Sequence, residues 1–196
     1  MVREEFEREL VKIHEMIVRM GTATLDSISS AVDALVELDE DKAQIVINND
    51  DVIDKMERDI DQACLEMIIR QQPVAADLSD AVSTLKLITD LERIADHASD
   101  ICEKVLVLAQ FDSCIVIPAD VIRMSDYSKI MIKSALDAYV SKDESAAVEV
   151  VDMDDKVDAL YVKIKGYLID RMRRDTANIE GMVELLTICK YFERIS

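Results

Sequence analysis

The strongest constraint on the fold is an internal repeat, which emerges when the chain of 196 residues is shifted by 104 positions. Residues 31–54 then align without a gap on residues 135–158. Eleven of these twenty-four positions carry the same residue, where chance would give about two. The sequence LERI at 91–94 matches FERI at 192–195 with the offset reduced to 101. The chain is therefore predicted to fold as two copies of one unit, with a three-residue deletion in a turn of the second copy.

Both copies have the composition of helices. Helical periodicity runs through almost the whole chain, which contains only three glycines and two prolines. Breaks fall at Pro73, Pro118 and Asp175, and weaker ones near Asp39 and Asp143, where proline or a capping side chain is available. This pattern predicts an all-α protein of two tandem, pseudo-symmetric three-helix bundles. The six predicted helices cover residues 3–38, 41–71, 74–109, 119–142, 144–174 and 177–196.

The two bundles are predicted to span residues 1–110 and 118–196. Ser196 aligns with Ala95, so the second bundle is expected to be incomplete at its C-terminal end, one residue before the counterpart of Asp96. The chain is long enough to bury a sizeable core without disulfides. We also expect a homodimer, formed by an apolar stripe left over once six helices have packed.

Charge and targeting signals narrow the classes of partner. Forty-one acidic residues against twenty-three basic ones give a formal charge of -18. This charge disfavours direct binding of nucleic acid or an anionic membrane and favours cations or basic protein surfaces. The N-terminal sequence MVREEFEREL lacks the features of a signal peptide, and no apolar run approaches the roughly 20 residues of a membrane span. The cysteines lack C-x-x-C spacing and are predicted to be reduced core residues of a cytoplasmic protein: Cys64, Cys102, Cys114 and Cys189.

Acidic residues that recur at a spacing of four form the candidate site. This spacing places two carboxylates on one helix face, about 5 to 6 Å apart. The midpoints of the first two pairs, residues 52 and 94, each lie 21 residues from Pro73, so an antiparallel hairpin that turns there brings the pairs level. A turn near Asp175 does the same in the second copy. The residues of this motif are Asp50 with Asp54, Glu92 with Asp96, Asp154 with Asp158, and Glu193.

Four facing carboxylates require a neutralising cation, because an uncompensated buried charge costs several kcal/mol. Ligands that are all oxygen favour Mg, Ca, Mn or ferric iron, and facing helices of a bundle are a known place for such a site. We therefore predict a metal between the helices of each hairpin. The candidates for additional coordination or supporting contacts are Asp51, Asp100, Asp155 and His97.

Two other interpretations stay open. In one, the acids are solvated faces of a helical scaffold, balanced by Arg58, Arg93, Lys55 or Lys156. In the other, the same carboxylates serve a metal-dependent hydrolase or oxidase with a bridging water. Against an enzyme, the sequence has no Glu-x-x-His motif, no Gly-rich phosphate loop and no nucleophile elbow. We predict that the protein has no catalytic residues.

Several motifs resemble those of the PhoU family of phosphate-signalling proteins. QQPVAADL, followed by ITDLERIADHASDI, is similar to the most specific stretch of that family. DDVID and MDDKVD are similar to its second-helix motif, and FERI begins its last one. Two positions depart from the family pattern, since Ser79 stands where arginine is usual and Asp100 where asparagine is frequent. The resemblance covers essentially the whole chain.

The resemblance implies a cytoplasmic, metal-binding negative regulator of phosphate uptake and of the phosphate-starvation response. Its implied partners are the ATPase subunit of the phosphate ABC transporter and a membrane sensor histidine kinase, between which it acts as an adaptor. The implied cofactor is a hard cation (Fe, Mn, Mg or Zn), of open identity and nuclearity. The implied ligands are Asp50, Asp54, Glu92 and Asp96 at the first site, and Asp154, Asp158 and Glu193 at the second.

Overall fold

A computed structural model describes residues 2–73, 76–111 and 115–196 and contains six α-helices within them. A short 3-10 turn, Thr176–Asn178, precedes the last helix, and no strand occurs in these three ranges. The all-α prediction is confirmed. The helices are α1 (Val2–Glu37), α2 (Glu40–Gln71), α3 (Ala76–Leu108), α4 (Ala119–Ser141), α5 (Glu144–Arg174) and α6 (Ile179–Ile195).

The helices end at the predicted breaks for identifiable reasons. Asp39 caps α2, because its side chain accepts a hydrogen bond of 3.0 Å from the backbone N–H of Lys42. Three residues that follow helix ends have positive φ angles: Leu38 (51°), Gln72 (45°) and Lys142 (54°). Leu38 and Lys142 are counterparts in the repeat, so the two copies share the conformation of their first turn.

The start of α6 differs slightly from the prediction. The sequence pattern placed it at residue 177, whereas the regular helix begins at Ile179 after the 3-10 turn. The Asn178 amide donates a hydrogen bond of 2.6 Å to the Asp175 carboxylate. This short-range polar contact holds the chain in the tighter turn before the apolar face of α6 takes over.

The helices form two bundles that lie side by side. Helices α1, α2 and α3 pack on one another, as do α4, α5 and α6, and the bundles meet through α3 against α6 and α1 against α4. Within the described ranges, the backbones of α2 and α5 pack closely only against helices of their own bundle. Gly21 permits the close approach of α1 to α4, because a Cβ at this position would collide with the Leu136 side chain. None of the described helices combines the length and apolar character needed to cross a bilayer.

The repeat extends to buried polar groups of the two cores. Thr24 is fully buried, and its hydroxyl donates to the Met20 carbonyl at 3.0 Å and makes a longer contact of 3.5 Å with the Leu91 carbonyl of α3. Its counterpart Ser128 does the same with the carbonyls of Met124 (3.0 Å) and Phe192 (3.4 Å). Both hydroxyls thus satisfy their hydrogen-bonding need within an apolar core.

Three of the predicted core cysteines are buried and free: Cys64, Cys102 and Cys189. Burial raises the pKa of the Cys64 thiol to about 11 and those of Cys102 and Cys189 to about 12. These three thiols are therefore structural and unreactive at neutral pH. Cys114 lies outside the described residues.

Replacing Gln72 by glycine should stabilise the protein by roughly 0.5–1 kcal/mol, because an L side chain at a positive φ is strained and Gln72 is exposed. The measurement is the free energy of unfolding from urea titration. Gln62→Gly, at an exposed position inside α2, is the control and should destabilise by a similar amount. Destabilisation by both substitutions would show that Gln72 is not strained.

Candidate metal centre

The hairpin of α2 and α3, here called the first hairpin, brings its two acidic pairs level. Asp54 and Glu92 each lie 19 residues from Pro73, and Asp50 and Asp96 each lie 23 residues from it. One carboxylate oxygen from each of Asp54, Glu92 and Asp96 lies within 4.8 Å of the others. We call these three residues the first acidic cluster. Because metal–oxygen bonds in hard-cation sites are about 2.0–2.6 Å long, oxygens at this separation can share one ion.

Electrostatic repulsion within the first hairpin is visible in the ionisation of its carboxyls. Partial burial, followed by repulsion from Asp96 and Asp54, raises the pKa of Asp50 to about 6. Burial also raises the pKa values of Glu92 and Asp96, with Asp96 the next contributor for Glu92 and Asp54 the next for Asp96. Asp50 thus belongs to the same electrostatic field, although it lies outside the first acidic cluster.

Basic side chains compensate little of this charge. Arg58 reaches Asp54 at 3.4 Å, from a side chain that is 65% exposed. Arg93 instead approaches Asp90 at 3.8 Å, and Lys156 lies over the Tyr127 ring, 5.8 Å from its centroid. Within the described ranges, no lysine or arginine lies within ion-pair distance of Asp50, Glu92 or Asp96. Most of the charge in the first hairpin therefore stays unbalanced by the protein.

Glu57 is a fourth acid of this site that sequence reasoning missed. It lies three positions after Asp54, and its charge contributes to the raised pKa values of both Glu92 and Asp96. The Thr89 hydroxyl of α3 donates a hydrogen bond of 3.1 Å to the Glu57 carboxylate. The signal was the spacing of three from Asp54, which also shares a helix face. The repeat concealed it, because the counterpart of Glu57 is Tyr161.

The additional candidates of this bundle lie around the first acidic cluster and outside it. His97 is 17% exposed and turns toward the second bundle, where its ring stacks on Tyr191 with centroids 5.3 Å apart. Its Nδ1 lies 3.3 Å from a carboxylate oxygen of Asp100. Asp100 adds negative charge near Asp50 and Asp96, while Asp51 is exposed. His97 is thus placed to orient α3 against α6. Ser79, the position where arginine is usual in the family, is exposed near the start of α3.

The corresponding acids of the second hairpin, formed by α5 and α6, are arranged differently. Burial and the charges of Asp158, Asp155 and Glu193 raise the pKa of Asp154, so these residues share one region. Glu193, however, is paired with Lys190, whose Nζ lies 2.5 Å from the carboxylate. Across the three described ranges, the first acidic cluster is the one group of three or more potential ligands whose donor atoms converge.

Comparison with known proteins identifies the family. A family model for the PhoU domain matches residues 17–105 and 121–196, one stretch in each bundle. The chain belongs to the PhoU family. The resemblance found in its motifs is confirmed, and the fold is that of two PhoU domains.

Named relatives of the family match over nearly the whole chain. A phosphate-specific transport system accessory protein PhoU homolog of Clostridium acetobutylicum is 37% identical over 196 residues, which cover 100% of this chain and 89% of the relative. The homolog of Aquifex aeolicus is 31% identical and covers 95% of this chain and 84% of the relative. These relatives are named as accessory proteins. The chain is accordingly a regulatory protein and not an enzyme.

Solved structures agree with the described fold. The crystal structure of PhoU from Pseudomonas aeruginosa aligns with a TM-score of 0.92 at 31% identity, over 97% of this chain and 91% of that one. The phosphate transport system regulatory protein PhoU from Streptococcus pneumoniae aligns with a TM-score of 0.89 at 25% identity, over 97% and 89%. The six-helix PhoU-like prediction is therefore confirmed.

In metal-free protein, the raised pKa of Asp50 predicts that stability falls as the pH rises from about 4 to about 6, because the folded state holds the proton more tightly than the unfolded state. Asp50→Asn should therefore raise the melting temperature at pH 7 and flatten its dependence on pH. We expect an effect of about 1 kcal/mol, allowing for solvent screening of a partly exposed group.

Thermal unfolding followed by circular dichroism in the presence of a chelator, at pH values from 4 to 7.5, measures this effect. Asp51→Asn is the matched control, because it removes the same charge from an exposed neighbour. Equal responses of the two variants would show that general charge reduction, and not the repulsion around Asp50, governs the pH dependence.

Proposed function

We propose that this protein is a metal-binding regulator of phosphate transport, with a hard cation held between α2 and α3. The observation that carries the proposal is the first acidic cluster, in which three carboxylates converge without an arginine or lysine to neutralise most of their charge. The donor set fits a hard cation, because all its atoms are oxygens and the described cysteines are buried in the core. The proposed ion is Fe, Mn or Mg, or Zn, which is of borderline softness but also binds carboxylate oxygens.

In this proposal, Asp54, Glu92 and Asp96 hold the ion, and Asp50 and Glu57 add to the negative field that attracts it. The cation would supply positive charge that replaces repulsion between α2 and α3 with attraction. Because folding brings the ligands together from two helices, binding stabilises the folded hairpin by mass action. The metal thus has a structural and regulatory role.

We further propose that the protein acts in the cytoplasm as a negative regulator. It would act as an adaptor between the ATPase subunit of a phosphate ABC transporter and a membrane sensor histidine kinase. The names of its relatives, which describe phosphate transport system accessory proteins, support the link to phosphate transport. The formal charge of -18 favours basic surfaces on these partners. Assembly as a homodimer stays a prediction.

The double substitution Glu92→Gln and Asp96→Asn should abolish stoichiometric binding of Mn²⁺ to the first hairpin, because it removes two of the three converging carboxylates. Isothermal titration calorimetry and elemental analysis measure binding, and circular dichroism checks that the helices persist. The control is Asp77→Asn with Glu103→Gln, which removes two exposed acids from the same helix. Unchanged Mn²⁺ content after loss of Glu92 and Asp96 would contradict the proposal and favour a scaffold with solvated acids.

Binding to the purified ATPase subunit should be detectable by surface plasmon resonance and should weaken as the salt concentration rises from 50 to 500 mM. The physical reason is that rim charges of an acidic protein contribute chiefly through screened Coulomb attraction. An ATPase subunit of an unrelated transporter is the control. Equal binding to both subunits, or none to the phosphate transporter's subunit, would contradict the adaptor role.

A further inference from the structure

One pair of facing positions beside the acidic motif carries side chains of different chemistry in the two hairpins, although the repeat aligns them. In the first hairpin, the Thr89 hydroxyl of α3 donates to the Glu57 carboxylate of α2 at 3.1 Å. The counterparts are Lys190 in α6 and Tyr161 in α5. There, the Lys190 ammonium lies 5.3 Å from the centroid of the Tyr161 ring. The same two positions therefore meet in both hairpins, with different chemistry.

This exchange changes the charge beside each acidic motif. Replacing glutamate by tyrosine removes a negative charge, and replacing threonine by lysine adds a positive one. The added ammonium contacts the remaining motif acid of α6, since Lys190 Nζ lies 2.5 Å from Glu193 Oε2. The first hairpin has a hydroxyl at the position where the second has a charge.

We propose that Lys190 is the resident cation of the second hairpin, so that this chain binds its metal in the first bundle and excludes it from the second. The inference rests on the proposed metal site of the first hairpin. A metal ion entering beside Asp154, Asp158 and Glu193 would meet a positive charge already held by Glu193 and by the face of the Tyr161 ring. Thr89 and Lys190 thus determine which of the two bundles binds a metal ion.

The arrangement has support beyond a surface ion pair. An exposed pair at a spacing of three contributes little by itself, and the Lys190 side chain is 42% exposed. The contact with Tyr161, however, crosses from α6 to α5 at the level where Thr89 meets Glu57 in the first hairpin. The lysine thus joins the two helices of the second hairpin, as a metal would join those of the first.

A reciprocal exchange tests the inference. Thr89→Lys should weaken Mn²⁺ binding to the first hairpin about tenfold or more, because it places an ammonium beside Glu57 and Glu92. Lys190→Thr, made in a protein that also carries Glu92→Gln and Asp96→Asn, should create Mn²⁺ binding that the double variant lacks. Calorimetry gives affinity and stoichiometry, and the rise in melting temperature with Mn²⁺ gives an independent readout.

Matched control variants separate the effect of a charge placed beside the acidic motif from the effect of changing the net charge elsewhere on the same helix. Ser79→Lys adds a lysine to an exposed position of α3, and Lys165→Thr removes an exposed lysine from α5. Neither should change Mn²⁺ affinity more than twofold. Thr89→Gln lengthens the side chain without charge and should weaken binding less than Thr89→Lys. Circular dichroism confirms that each variant is folded.

The outcomes distinguish this inference from the proposed function. Unchanged affinity in Thr89→Lys, or no Mn²⁺ binding after Lys190→Thr in the double variant, would overturn the role of the lysine. Mn²⁺ binding that the double variant retains with Lys190 intact, and that Asp154→Asn with Asp158→Asn then abolishes, would also overturn it, because the ion would lie in the second hairpin. Absence of Mn²⁺ binding by the native protein, with Lys190→Thr alone still binding it, would instead reject the metal site of the first hairpin.

Discussion

Repulsion between carboxylates, imposed by the packing of α2 on α3, is the interaction on which the proposed function depends. The apolar faces of these helices bury Ile53, Ile60, Ile88, Leu91 and Ala95 to within 4% of full burial. Full burial of a large apolar side chain contributes about 1.5–3 kcal/mol, whereas repulsion between partly exposed acids is smaller. Packing of the apolar core therefore determines the register of α2 against α3, and the carboxylates lie close together despite their repulsion.

Comparison of aligned residues in the two bundles separates those that the fold needs from those that affect only one acidic site. Thr24 and Ser128 keep the same buried hydroxyl contacts in both bundles, because each must satisfy a polar group within an apolar core. Glu57 and Thr89 have no such constraint, since both are near the surface, and their counterparts became Tyr161 and Lys190. Changes at the rim of a hairpin can thus alter its affinity for a cation while the bundle stays intact.

The sequence was sufficient for the fold and for the register of the first hairpin, because both depend on periodicity and on breaks such as Pro73. The sequence did not predict the directions in which individual side chains of the site point. His97 follows Asp96 directly, yet its ring faces Tyr191 across the bundle interface. Glu57 was missed because the motif was defined by a spacing of four, whereas Glu57 lies three positions after Asp54. Lys190 was missed because its spacing of three from Glu193 does not reveal that it also contacts Tyr161 of the neighbouring helix.

Helix α3 connects the proposed metal site to the rest of the molecule. One of its faces carries Glu92 and Asp96 toward α2, and another carries His97 against Tyr191 of α6. Within the described ranges, the backbone of α2 packs against α1 and α3 alone, so α3 is a direct structural connection between the proposed site and the second bundle. A cation that fixes α3 against α2 therefore also constrains the surface on which the two bundles meet. Under the proposed function, a cation with no catalytic role would in this way influence the shape that partners encounter.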